Sequence, residues 1–322
     1  MKKPKYDILS QSFDNASFIA VMLIFMLSLV SCEDYFITDA KHLKIPGSEP
    51  RLVIYSFISP QDTIIRVHLQ RSIPYSMSDD LVEPVGDKAR VFISKKGHPA
   101  SELTYSAKYQ CFTISSNEFY VEPGFYYQLN VESFEGEKAS AECYVPEPLY
   151  SNLAIDSIYT SFDSYGGSFV SLDYRFKAID NSAENYYSTG AYRKFYSEDW
   201  FGGVETTITN QFIYDFYIEH GDSYIADKYG NTYRIKASSW RYDYFEYYKD
   251  APNTASQYFD SIFVYIMQTD RNYYHFHKSY FNYNYYDDDF PFAESVHIYT
   301  NITNGLGVFA GYNRQDIYVP EE

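Results

Sequence analysis

The side chains with the most evident capacity for chemistry are two histidines and three consecutive aspartates in the C-terminal third of the sequence. His275 and His277 are two positions apart, so they would share a face on a strand but point apart on a helix. Asp287, Asp288 and Asp289 offer the hard oxygen ligands that calcium prefers, but they lack the alternating spacing of a calcium loop. We therefore expect solvated or tyrosine-paired histidines, a solvated acidic loop, and no metal site.

Catalytic signatures are missing from the sequence. It contains no Gly-x-Ser-x-Gly elbow, no His-Glu-x-x-His helix and no phosphate-binding loop. Gly305, Gly307 and Gly311 are not followed by the helix, strand and acidic residue that a dinucleotide fingerprint requires. We expect these glycines to permit a positive φ or a close backbone approach in a bent strand. The sequence thus predicts no catalytic residue, no cofactor and no enzymatic activity.

A cysteine directly follows an apolar segment near the N-terminus. The segment runs from Ala16 to Val30, which is 15 residues; this length suits the core of a signal peptide and is short for a membrane span of about 20 residues. Leu29-Val30-Ser31-Cys32 resembles the lipobox of bacterial lipoproteins, in which the thiol is acylated and the cysteine becomes the first residue after cleavage. The alternative is an N-terminal anchor helix that ends in a cysteine.

Two acidic residues follow this cysteine at once. Glu33 and Asp34 resemble the export signal of Bacteroidota lipoproteins, which implies an outer-membrane protein exposed at the cell surface. The bilayer would be bound through acyl chains on Cys32, each buried CH₂ contributing about 0.8 kcal/mol. The alternative interpretation is that the acids simply begin a tether. We assign residues 1–31 to a lipoprotein signal peptide and residues 32–50 to a lipidated tether.

The charge of the chain excludes one class of partner. From Cys32 onward the sequence carries 23 basic and 41 acidic side chains, a net charge of −18. Such a chain repels phosphate backbones, so we expect no nucleic-acid partner. Two cysteines, Cys111 and Cys143, remain after Cys32. In an exported chain they are compatible with a disulfide, but each lies in an apolar run where a free core cysteine is equally expected.

Short alternating segments predict a mainly β protein. About seven strands between residues 51 and 147 favour an immunoglobulin-like β-sandwich. Tyr127, soon after the Pro123-Gly124 turn, is placed like the tyrosine of a tyrosine corner, which bonds to the backbone. Pro146-Glu147-Pro148 marks a boundary, and residues 148–322 form a second, tyrosine-rich β domain with one or two short helices. One of these helices is predicted from Arg271 to about Asn284, with Asp270 as its N-cap.

An aromatic stretch in the second predicted domain is the best candidate surface for a ligand or partner. It contains Trp240, Tyr242, Tyr244 and Tyr247. A row of rings on one strand face can stack on a sugar or contact a receptor loop. The alternative is an amphipathic element whose rings pack inward.

The order of these segments resembles a known family. The opening strand Arg51-Leu52-Val53-Ile54, the turn before Tyr127-Gln128-Leu129-Asn130-Val131, and the segment Asn301–Tyr312 are similar to the Bacteroidota lipoproteins of domain of unknown function 4249. The resemblance implies a non-enzymatic surface lipoprotein that is the accessory or ligand-binding partner of a TonB-dependent transporter. The alternative function is that of a stand-alone glycan-binding or adhesion lipoprotein.

Overall fold

The computed structural model describes residues 50–72, 85–149, 153–162, 167–181, 183–199, 208–242, 258–286 and 297–320. They form sixteen strands and one helix: β1 Leu52–Ile58, β2 Ile64–Arg71, β3 Ala89–Lys95, β4 Ser101–Ser106, β5 Cys111–Ser115, β6 Phe125–Ser133, β7 Lys138–Val145, β8 Ala154–Phe162, β9 Gly167–Lys177, β10 Asn185–Asp199, β11 Ile208–Asp215, β12 Tyr217–His220, β13 Tyr224–Asp227, β14 Thr232–Tyr242, β15 Tyr258–Thr269, α1 Arg271–Tyr286 and β16 Leu306–Val319. The mainly β prediction is confirmed.

The strands lie in two sheets. The larger sheet has the order β11-β10-β15-β16-β1-β2-β5-β4-β3-β6-β7, with β13 also paired to β10, and the smaller has the order β12-β14-β9-β8. Strands β1 and β16 pair in parallel, although they come from opposite ends of the described chain. Strands from both predicted domains therefore belong to one sheet. The sandwich arrangement and the boundary after residue 147 stay predictions.

Alternation along the strands produces two hydrophobic cores. On β2, Ile65, Val67 and Leu69 are buried while the intervening Arg66 and His68 are exposed, as the period of two predicts. They belong to a first core with the inward residues of β1, β3, β6 and β7. A second core lies around β9, β14 and β15, where Val170, Leu172, Tyr174 and Phe176 are fully buried.

The predicted tyrosine corner is present at the start of β6. The Tyr127 hydroxyl donates to the Glu122 carbonyl (3.1 Å) and accepts from the Glu122 N–H (2.6 Å). The ring is fully buried, and this burial raises the pKa of the hydroxyl to about 12. The two bonds fasten the turn at Gly124 to the core, which is the structural role that the sequence predicts for Tyr127.

The predicted helix is confirmed and begins where expected. Asp270 is its N-cap, because its Oδ1 accepts the Tyr273 N–H at 2.8 Å. The helix packs on β1 and β16 through Phe276, which lies in a small core with Val308 and Ala310. Within the described ranges, no helix has the length and apolarity needed to cross a membrane.

Glycines allow β16 to approach its neighbours closely. Gly307 has φ +98°, and a Cβ there would overlap the Ile54 carbonyl oxygen on β1. A Cβ on Gly311 would overlap the Tyr144 carbonyl oxygen on β7. Only glycine fits such contacts, so the packing role predicted for these residues is confirmed.

The turn before β14 joins two strands that do not pair with each other. The sequence around Gly230 resembles a hairpin turn, but β13 pairs with β10 and β14 pairs with β9, in different sheets. The Asp227 carboxylate accepts the N–H groups of Tyr229 and Gly230 at 3.0 and 2.7 Å. The turn is thus held by a side chain and carries the chain from one sheet to the other.

Candidate functional site

A concave surface lies along β7 in the described part of the chain. Two cavities of about 380 and 400 Å³ are both lined by Glu142. We call them together the β7 cleft. Its residues come from β6 and β7, from the start of β10, from the end of β15 and the start of α1, and from the segment before β16. They are Tyr126, Gln128, Asn130, Ser140–Tyr144, Pro146, Glu184–Tyr186, Gln268–Asn272, Asn301 and Thr303.

The floor of the cleft follows from the two-residue period of its strands. Residues 127, 129 and 131 of β6 are buried in the first core, so Tyr126, Gln128 and Asn130 face the opposite side. Each pairs with an outward residue of β7, in the register Tyr126↔Tyr144, Gln128↔Glu142 and Asn130↔Ser140. The sheet therefore presents three rows of flat or polar side chains to the cleft.

The outer edge of β7 is covered by side chains and by one short backbone pair. The Tyr144 N–H donates to Asp270 Oδ2 at 3.2 Å, and the Asn272 Nδ2 donates to the Glu142 carbonyl at 3.0 Å. Further along, Ser140 and Thr303 exchange two backbone hydrogen bonds of 3.2 and 2.8 Å. These contacts hold the walls of the cleft against its floor.

Asn301 fixes the wall formed by the segment before β16. Its Nδ2 donates to the carbonyls of Glu142 (3.1 Å) and Phe309 (2.8 Å), and its Oδ1 accepts the Phe309 N–H at 3.0 Å. One amide therefore joins β7 to β16. This geometry explains why an asparagine stands at the start of the Asn301–Tyr312 segment.

Charge at the centre of the cleft is balanced locally. Lys96 Nζ lies 2.9 Å from Glu142 Oε2, and Gln128 Nε2 donates to the same oxygen at 3.2 Å. The hydrogen bond from Lys96 is the main reason that the pKa of Glu142 is lowered. Lys96 Nζ also lies 5.3 Å from the centroid of the Tyr126 ring. Glu142 is thus ionised, and Lys96 and Gln128 fix the position of its carboxylate as a hydrogen-bond acceptor.

Asp270 is the most strongly perturbed carboxyl of the cleft. Burial raises its pKa to about 7, against the opposing effect of hydrogen bonds from the backbone of Tyr273 and Tyr144 and from Asn272. Its side chain accepts these bonds at 2.8, 3.2 and 3.1 Å. The carboxyl serves two structural purposes, since it caps α1 and covers the edge of β7.

Two buried polar atoms on the residues before Asp270 have no hydrogen-bond partner among the described residues. They are Gln268 Oε1 and Thr269 Oγ1, and both residues line the cavity of about 380 Å³. Thr269 is only 4% exposed. An unpartnered buried polar atom costs about 1–3 kcal/mol. The Gln268 oxygen favours a bound group that can donate a hydrogen bond, and the Thr269 hydroxyl can take either a donor or an acceptor.

Tyrosine rings border this cavity. Tyr126 and Tyr144 have ring centroids 4.9 Å apart, and Tyr126 is half exposed. On the other side, the Tyr186 hydroxyl donates to Glu184 Oε2 at 2.7 Å, and burial is the first cause that raises its pKa to about 12. The cleft therefore combines aromatic faces, amides and carboxylates.

The residues singled out from the sequence lie elsewhere or outside the described residues. Cys32, Glu33 and Asp34 are outside them, as are Tyr244, Tyr247 and residues 287–289. Trp240 is 55% exposed and its ring lies 5.3 Å from that of Phe169. Tyr242 ends β14, paired with Gly167. The predicted aromatic surface is thus described only at Trp240, which does not line the β7 cleft.

The two remaining cysteines are core residues in the structure. Cys111 and Cys143 are both buried, with free thiols. Burial raises the pKa of each thiol, that of Cys143 well above its ordinary value. The structure therefore agrees with the interpretation as small core residues and contains no disulfide between them.

The two histidines take part in separate ring clusters. His277 stacks on Tyr273 with centroids 4.1 Å apart and on Tyr224 at 5.3 Å, while His275 accepts from Arg271 Nε at 3.1 Å. Burial lowers the pKa of both imidazoles. The tyrosine-paired role is confirmed. In the part of the chain that the structure describes, no group of three or more His, Cys, Asp or Glu side chains could hold a metal ion.

Sequence reasoning missed the cleft because its residues come from five separate segments. One signal was available: the face of β6 opposite Leu129 carries Tyr126, Gln128 and Asn130, which are planar polar or aromatic side chains. Charged or small hydroxyl residues are the more usual occupants of a face that only meets water. The contribution of Gln268 and Thr269 required the pairing of β15 with its neighbours.

A comparison with protein families gives one match. The family described as Domain of unknown function (DUF4249) matches residues 39–317. This is most of the chain, which therefore belongs to that family, and the resemblance seen in the sequence is confirmed at this level. No curated protein sequence matches the chain.

Proposed function

We propose that this member of the DUF4249 family is a lipid-anchored, non-enzymatic accessory protein that binds a ligand for a TonB-dependent transporter at the bacterial outer membrane. Cys32 carries the acyl chains, and Glu33 and Asp34 direct the protein to the cell surface. The residues beyond the tether form the ligand-binding body. The transporter is the partner and the bilayer is the anchor.

The observation that carries the binding role is the β7 cleft. It is lined by amides, carboxylates and tyrosine rings, and its walls are fixed by side-chain bonds to β7 from Asp270, Asn272 and Asn301. A preformed concave site with a few placed polar groups is the usual form of a small-ligand site. Because these walls are fixed before the ligand binds, less conformational entropy is lost on binding. Such a site suits a protein that captures a ligand and then releases it.

Recovery of the transporter tests the partnership. The full chain, tagged at its C-terminal end and expressed in its native host, is extracted from outer membranes with a mild detergent and purified under native conditions. We expect a TonB-dependent transporter to co-purify in near-stoichiometric amount with the wild-type protein. The Cys32→Ala variant, which cannot be acylated, should lose both palmitate incorporation and the transporter.

The alternative function is that of a stand-alone glycan-binding or adhesion lipoprotein. The β7 cleft supports ligand binding in either case, so the partner separates the two functions. Recovery of an acylated protein without any transporter would refute the accessory role and leave the stand-alone one. Failure of Cys32 to incorporate palmitate would refute the membrane anchor on which both depend.

A further inference from the structure

We propose that the ligand of the β7 cleft is a neutral oligosaccharide. This inference rests on the ligand-binding part of the function proposed above and does not depend on the transporter. Four features of the cleft carry it: the exposed amide of Asn130, the unpartnered buried polar atoms of Gln268 and Thr269, the tyrosine faces and the already covered strand edge.

The amides match the hydroxyls of a sugar. Gln128, Asn130 and Asn301 line one cavity. Asn301 is held by its bonds to Glu142 and Phe309, and Gln128 donates to Glu142, so the amide that offers a donor and an acceptor in one plane is that of Asn130. Adjacent hydroxyls on a sugar ring each donate and accept, so they can bind such an amide through two bonds. Asn130 is exposed, and its amide makes no hydrogen bond to any described residue. It can therefore bind a ligand without loss of a bond to any described residue.

The unpartnered polar atoms call for a ligand that both donates and accepts hydrogen bonds. Gln268 Oε1 and Thr269 Oγ1 are buried without a partner among the described residues, both residues line the second cavity, and Thr269 is more than nine-tenths buried. A sugar hydroxyl can donate to the Gln268 oxygen and can either donate to or accept from the Thr269 hydroxyl, whereas a carboxylate or phosphate ligand has no donor for Gln268. Glu142 is paired with Lys96, so the repulsion of anions comes from the whole chain, whose net charge is −18 from Cys32 onward. These features favour an uncharged, hydroxyl-rich ligand over an anionic one.

The rings supply the apolar part of the contact. Tyr126 is half exposed and adjoins Tyr144 across the strand pair. The faces of a pyranose ring carry C–H groups, which pack on an aromatic face while the equatorial hydroxyls point sideways to the polar lining. The two cavities are neighbours at Glu142 and have volumes of about 380 and 400 Å³. They can hold a chain of sugar rings rather than one ring.

A peptide is disfavoured by the state of the β7 edge. An extended peptide gains affinity by adding a strand to a free sheet edge. Here the Tyr144 N–H, the Glu142 carbonyl and both backbone groups of Ser140 are already bonded to Asp270, to asparagine side chains and to Thr303. Strand addition would first have to break these bonds, so the cleft favours side-chain recognition of hydroxyls.

The test uses a panel of defined hexasaccharides. Full-length acylated protein is kept in a detergent without a sugar headgroup, because a glycoside detergent would compete for the cleft. Binding is measured by isothermal titration calorimetry with hexasaccharides of α- and β-linked glucose, mannose, galactose and xylose. An alginate hexasaccharide and an extended uncharged hexapeptide serve as comparators. We expect at least one neutral hexasaccharide to bind and neither comparator to do so.

Two variants tie the binding to the cleft. Asn130→Ala should weaken affinity about fivefold, the effect of one neutral hydrogen bond, and Tyr126→Ala about tenfold through loss of the ring contact. Asn117→Ala and Tyr159→Ala are the matched controls, since both side chains are exposed outside the cleft, and they should leave affinity unchanged. Unaltered thermal unfolding shows that each variant is folded.

Three results would overturn the inference: no neutral hexasaccharide binds, the alginate or peptide binds in preference, or the bound sugar is insensitive to both cleft variants. The outcome is independent of transporter recovery. Sugar binding without a transporter refutes the accessory role alone, whereas a recovered transporter without sugar binding refutes this inference alone.

Discussion

The buried carboxyl of Asp270 makes the stability of the protein depend on pH in an unusual direction. Burial raises its pKa to about 7 in the folded protein, from an ordinary value of 3.8. Between these two values the folded protein retains a proton that the unfolded chain releases. The free energy of unfolding therefore falls as the pH rises through this window and is level above it. Paired surface carboxylates, whose pKa values are lowered, have the opposite effect.

The size of the effect follows from the shift. A difference of about three pKa units corresponds to about 4 kcal/mol, at about 1.4 kcal/mol per unit. Conversion is justified here because Asp270 is only 6% exposed, so solvent screens it little. The Asp270→Asn variant cannot titrate at this position. We expect the difference in unfolding free energy, wild type minus variant, to fall by about 4 kcal/mol between about pH 4 and about pH 7.5.

Urea unfolding followed by fluorescence, at half-unit intervals of pH and low protein concentration, measures this difference. The subtraction removes the contribution of every other carboxyl. Asp222→Asn, at an exposed position, is the control for the removal of one negative charge. The comparison is between the unfolding free energies of the wild type and the Asp270→Asn variant. The reasoning is refuted when their difference stays constant within about 1 kcal/mol across the window, or when it rises with pH.

Three further predictions concern the frame and the buried thiols. Asn301→Ala should cost about 3 kcal/mol of unfolding free energy in urea, since three backbone groups lose their partner; a loss below about 0.5 kcal/mol would show that water replaces the amide. Gly307→Ala should cost more than about 3 kcal/mol or prevent folding, because φ is positive and a Cβ overlaps β1; a variant as stable as the wild type in the same titration would contradict that contact. Cys111 and Cys143 should be inert to a thiol reagent in the native protein and should both react in urea; one rapid native reaction would contradict their burial.

Much of the fold could be predicted because its signals are local. The alternation at Val170, Leu172, Tyr174 and Phe176 appears directly as the buried face of β9. The cap at Asp270 and the corner at Tyr127 depend on contacts three and five residues away in the chain, so short patterns reveal them. Such elements satisfy their own hydrogen bonds and need little tertiary information.

The sheet order could not be predicted from the same patterns. The parallel pairing of β1 with β16 joins Val53 to Leu306, and no local signal specifies a partner so distant in the sequence. The turn at Gly230 shows the same limit. Its turn has the composition of a hairpin, but the pairing of β13 with β10 overrides the local geometry. Register and partner choice are decided by the burial of whole faces.

The cleft as a whole could not be predicted from the sequence for a related physical reason. A binding surface of this kind has no fixed spacing, because Asn130, Asn301 and Thr269 reach it from three unconnected segments. Their types are informative only after the topology is known. The aromatic stretch at Trp240 attracted attention because its residues are close together in the sequence, yet the described part of it lies away from the cleft.

The side chains that cover the edge of β7 include Asn301, which connects the Asn301–Tyr312 segment to the β7 cleft. An edge strand exposes unpaired backbone groups that invite another strand, and proteins protect such edges. Here the protection comes from Asp270, Asn272 and Asn301, whose side chains bond to the β7 backbone. The same side chains form the walls of the cleft. A substitution that opens the edge must therefore also loosen the cleft, so Asn301→Ala should weaken ligand binding although Asn130 and Tyr126 are intact.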